Sequence, residues 1–98
     1  MPSAPLSQNE SARLAELRRY AILSTPPEEA FDHITKLASY FFHCPVALLS
    51  FIDQQKQWFK SCVGLNFSEG PRTESFCAWA ILDDNVMVVP DATVDPRF

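Results

Sequence analysis

Apolar positions change their period several times along the chain, and each change marks an element. Residues 1–6 hold two prolines and no apolar period, which predicts a disordered leader. From Ser7 the pattern turns helical. Ser7-Gln8-Asn9-Glu10 has the form of a capping box, and Leu14, Leu17 and Ala21 recur at helical spacing, with Arg13, Glu16, Arg18 and Arg19 on the other faces. This predicts an amphipathic first helix ending near Ile22-Leu23. Thr25-Pro26-Pro27-Glu28 predicts the start of a second: Thr25 as cap, Pro26 where a missing N–H costs nothing, Glu28 closing the box. Phe31, Ile34, Leu37, Ala38 and Phe41 form one stripe, so this helix is expected to lie on a sheet as far as Phe42.

Beyond Pro45 the run Val46–Ile52 is almost wholly apolar, which fits a strand covered on both faces near the centre of a sheet. Asp53–Lys56 is a polar turn. It is too short for anything but an antiparallel return by the aromatic-rich Gln57–Val63, so the pair reads as a hairpin. Gly64–Arg72, with both glycines and Pro71, reads as a loop. Phe76, Cys77, Ala80 and Ile81 mark one face of a short helix capped by Thr73 or Ser75, Val86–Val89 reads as a third strand, and an exit loop runs to Phe98. The order helix, helix, strand, strand, helix, strand predicts an α/β (α+β) fold: an antiparallel sheet with flanking helices and few strands.

Composition narrows the class. A chain of 98 residues and 11.1 kDa forms one domain at most, and 47% hydrophobic with 20% charged residues is ordinary for a folded one. The net charge of −4 and scattered Lys and Arg leave no footprint for nucleic acid. No apolar run approaches the ~18–20 residues of a membrane span and the start lacks an export signal, so a cytoplasmic protein away from the membrane is expected. Cys44, Cys62 and Cys77 are widely spaced without a C-x-x-C pair, which predicts free thiols.

Four segments in order carry a family resemblance: Leu17 to Glu28, Val46 to Asp53, Gln57 to Ser61 and Ser75 to Leu82. Together they resemble the start of the GAF domains of bacterial histidine kinases and diguanylate cyclases, over about Glu10 to Phe98, so that 7–98 reads as a partial GAF domain. The resemblance implies a sheet of five or six strands with a ligand pocket on one face. Such domains usually continue past the Pro96-Arg97-Phe98 position. The sheet is therefore expected to be completed by a missing C-terminal half or by a second copy.

The resemblance implies a non-catalytic sensory module, working through a homodimer and a downstream histidine kinase or diguanylate cyclase domain. Leu14, Leu17 and Ala21 are the residues expected on its dimer helix. Trp58, Phe59, Phe76, Cys77 and Trp79 are the candidates for the ligand pocket, because aromatic walls offer flat apolar contact with few polar handles. Trp79 stands where relatives often carry histidine, which removes any function needing an imidazole there. Ala78 stands where a bilin-bearing domain places a histidine, so chromophore attachment is disfavoured. Cyclic nucleotides, haem, small metabolites and no ligand at all occur among GAF domains, and the cofactor stays unassigned.

Alternatives are an assembly half-domain without ligand and an enzyme like free methionine sulfoxide reductase, whose cysteine arrangement Cys44, Cys62 and Cys77 do not resemble. His33 and His43 read as solvated surface residues without a base or metal role. Asp83, Asp84, Asp91 and Asp95 read as turn formers, lacking the alternation and glycine of a calcium loop, so no metal is expected.

Overall fold

The predicted hairpin organises the molecule, a computed structural model that describes residues 2–98. Met1 of the expected leader lies outside the described residues, and the next six form no helix or strand. Strand β1 (Ala47–Ile52) and strand β2 (Lys56–Val63) pair antiparallel, from Ala47 opposite Val63 to Ile52 opposite Gln57. The register slips between Leu49 and Ser50, where Ser61 and Phe59 are the partners and Lys60 is the extra residue of a β-bulge.

The third strand is not Val86–Val89. Strand β3 (Glu69–Pro71) comes instead from the stretch expected to be a loop, and pairs antiparallel with the start of β2, Lys56 opposite Pro71 and Trp58 opposite Glu69. Pro71 is tolerated because β3 is an edge strand. Val86 and Val88 are instead largely exposed in irregular chain. Their β-favouring side chains pair with no strand, and propensity alone does not make one. The strand order β1-β2-β3 corrects a second expectation: β2 is central and β1 lies at the edge, with only Ile52 of its residues buried.

Helix α1 (Glu10–Tyr20) ends two residues earlier than its pattern suggested, because Ala21 turns left-handed at φ 50° and its N–H bonds Arg18 O. Leu14 and Leu17 are buried. Helix α2 (Glu29–Phe42) starts later than Thr25-Pro26-Pro27-Glu28 predicted, and Thr25 does not cap it. A residue before proline avoids the helical region, and Thr25 and Pro26 lie outside the helix. The Thr25 hydroxyl is spent elsewhere, donating to Ile22 O at 2.5 Å and accepting from Lys60.

α2 lies on β1 and β2, but not through the stripe its periodicity indicated. Thr35 is buried against the sheet with Phe31, Asp32 and Ala38 half-buried, while Ile34, Leu37 and Phe41 are turned outward. Hydrogen bonding sets this rotation, since Thr35 meets Ser61 of β2 at 2.7 Å. A 3-10 turn (Arg72–Glu74) leads into helix α3 (Phe76–Ala80), where the Ser75 hydroxyl accepts from Ala78 N–H at 3.2 Å, as a cap should.

Candidate functional site

Two polar clusters, each built on one buried cation, Arg72 or Lys60, hold the elements in place. In the first, Glu10 on α1 receives Arg72 and Arg13, with Nη1 of Arg72 and Nη2 of Arg13 at 2.5 and 2.7 Å from Oε1, while Ser7 donates to Oε2. Arg72 also donates to Asp53 O and Arg13 to Ile52 O, so α1, the hairpin turn and the 3-10 turn meet at one carboxylate. Arg72 first, then Arg13 and Ser7, hold the Glu10 carboxyl far below the usual carboxylate range. Ser7 thus bonds the carboxylate itself and not the helix backbone, so the expected capping box does not form.

In the second cluster the bulge turns Lys60 inward. Its side chain is fully buried, and its three protons meet Thr25 Oγ1 and Pro26 O, both at 2.7 Å, and Glu28 Oε2 at 2.6 Å. The Phe31 ring lies 5.6 Å away. This lysine ties the α1–α2 connection to the sheet. No signal in the sequence marked it, because an isolated lysine in a strand reads as solvated.

The candidate pocket residues are dispersed. Trp58 and Phe59 are both buried in β2, and strand alternation sends them to opposite faces of the sheet. Gln57 and Phe59 share the face of Ser50, whose hydroxyl bonds Gln57 Nε2 at 3.0 Å and Cys77 Sγ at 3.4 Å. Cys77 is therefore a half-buried free thiol beside a hydroxyl. Phe76 is about half exposed and its ring meets Phe98 at 4.1 Å between centroids. Trp79 Nε1 is buried without a hydrogen-bond partner, as is Asp53 Oδ1. Cys44 is exposed and Cys62 half-buried, both as free thiols.

Of the expected dimer residues, Leu14 and Leu17 are spent on this chain's own core and Ala21 is the left-handed end of α1. Large apolar exposure falls on α2 instead: Leu37 is 65%, Phe41 70% and Phe42 69% exposed, with Ile34 beside them. A cleft of about 560 Å³ between these side chains is almost wholly apolar.

The other side of α2 borders a cleft of about 310 Å³ between its first turns, β2 and the 64–68 loop. Asp32, Thr35 and Ser61 form one hydrogen-bonded wall, Lys36 stands next to it, and Phe59 and Phe67 are apolar neighbours with centroids 5.7 Å apart. Of the five pocket candidates, Phe59 alone lines this cleft. The aspartates near the end of the chain close turns, as expected: exposed Asp91 accepts from Thr93 N–H and hydroxyl, and half-buried Asp95 from Arg97, whose guanidinium lowers the Asp95 carboxyl to about 2. Among the described residues no three His, Cys, Asp or Glu side chains gather as a metal site, and no helix is long and apolar enough to cross a membrane.

The chain aligns over its full 98 residues, at 41% identity, with the cyclic di-GMP phosphodiesterase PA2567 of Pseudomonas aeruginosa, and spans 17% of that protein's length. No protein-family model matches it. The similarity is to one segment of a much longer bacterial signalling protein, and it supports a signalling or regulatory module.

Proposed function

We propose that the chain is a non-catalytic regulatory module of the GAF type, which associates with a second copy through the outward face of α2 and passes a signal to an output domain. The observation that carries this reading is the apolar stripe Ile34, Leu37 and Phe41, left uncovered on a helix whose other side is hydrogen-bonded to the sheet. Contiguous exposed apolar surface of this kind marks an interaction site. A two-fold pairing suits it because the stripe is self-complementary: an antiparallel crossing near Leu37 sets Ile34 of one copy against Phe41 of the other. The end-to-end similarity to part of a cyclic di-GMP phosphodiesterase supports an output in cyclic di-GMP turnover.

Light scattering and sedimentation at micromolar concentration test the association. The wild-type chain is expected to be dimeric and Leu37→Glu monomeric and folded; a stable wild-type monomer overturns the reading. The isolated chain is expected to hydrolyse no cyclic di-GMP, and measurable turnover would remove the non-catalytic assignment.

A further inference from the structure

The cleft beside α2 has a charge arrangement that the dimer reading does not use. Asp32 and Lys36 are four residues apart on one helix, the spacing at which opposite charges ordinarily pair. They do not pair here, and among the described residues neither makes an ion pair elsewhere. Ser61 of β2 holds Asp32 by one oxygen, Oδ1, at 2.5 Å, and Thr35 fixes Ser61 in turn at 2.7 Å. The carboxylate is thereby kept half-buried at the wall of the cleft, with Oδ2 free of hydrogen bonds to other side chains. Lys36 lines the same cleft, within which its ammonium can swing, and Phe59, Phe67 and Val63 give it an apolar side. The neighbouring Lys60 adds no free charge, its three protons being already taken.

An anion would be opposed by Asp32 and a cation by Lys36, whereas a molecule bearing both charges satisfies both. We infer that this cleft binds a small zwitterion of the α-amino-acid class, its ammonium on Asp32, its carboxylate on Lys36 and its apolar side chain against Phe67 and Val63. The volume of about 310 Å³ lies at the lower end of the ~300–1,000 Å³ typical of ligand sites, which suits a molecule of this size. The site deepens the sensory reading by naming what is sensed, but does not depend on the dimer: a monomer that binds would sink the dimer alone.

The test is calorimetric titration of the wild-type chain with L-leucine and L-phenylalanine, alongside N-acetyl-leucine and leucinamide, with amide chemical shifts locating the site. Expected are saturable binding of at least one free amino acid, shifts centred on Asp32, Thr35, Ser61 and Phe67, and a loss of about tenfold or more for each capped form of leucine or its phenylalanine counterpart. Lys36→Gln, at an exposed position that makes no contact needed for folding, is expected to weaken the free amino acid about tenfold and leave the amide-capped form unchanged. No saturable binding up to about 10 mM, a capped form that binds as well as the free one, or shifts centred elsewhere would each overturn the proposal.

Discussion

Gly64 follows directly on β2 with φ +90°, and a Cβ built there would stand 2.0 Å from the backbone oxygen of Pro45. Neither the backbone angle nor the contact leaves room for a side chain, and the obstacle is backbone that cannot swing aside. Gly64→Ala is expected to cost about 3 kcal/mol in urea denaturation. The opposite sign is expected at Ala21, which holds a left-handed conformation at φ 50° that alanine adopts at a cost. Ala21→Gly should raise stability by about 0.5–1 kcal/mol in the same measurement, since the position is exposed.

Between elements, the buried lysine of the bulge gives a sharper test than any apolar residue. Removing Glu28 leaves an ammonium in the interior with only two neutral acceptors, whereas replacing the lysine removes the charge that needed them. Glu28→Ala is expected to cost about 1–2 kcal/mol in the wild-type chain and almost nothing in a Lys60→Met background, a difference that thermal denaturation of the four proteins reads as a coupling. This contact also marks the limit of what periodicity reveals. The hairpin, the short capped helix α3 and the two long helices are all legible, because turn length, Ser75 and apolar spacing are local signals. The rotation of α2 is not, since it is decided by Thr35 and Ser61, polar residues that meet across 26 positions of chain. Nor does spacing mark the same pair as part of a site, whereas the aromatic residues serve packing: Trp58 and Phe59 are adjacent in β2 and therefore face apart. β3 is not legible, because a strand of three residues with a glycine and a proline carries no strand signature and exists through pairing with β2.

For the whole molecule, Glu10 is the point where separately coded pieces meet, and it makes the fold acid-sensitive in a defined direction. Its folded-state carboxyl titrates well below the ordinary value of 4.5, so its contribution is complete above that value and is lost progressively as the pH falls below it. Glu10→Gln is expected to lower stability by about 2–3 kcal/mol near neutral pH and to flatten the decline between about pH 5 and pH 3, which denaturation at stepped pH measures. A wild-type decline no steeper than the variant's would show that the arginines do not depend on this carboxylate. The outer edge of β1 carries a different implication. Ala-Leu-Leu-Ser-Phe-Ile has no charge, proline or glycine, and among the described residues no strand pairs with its free side. Such six-residue segments are the units of amyloid-like stacking, and natural edges usually carry a lysine or a proline as a guard. Whatever surface covers this edge therefore also acts as a safeguard of solubility, and concentration-dependent fibrillation is the failure to be watched for when the chain is handled alone.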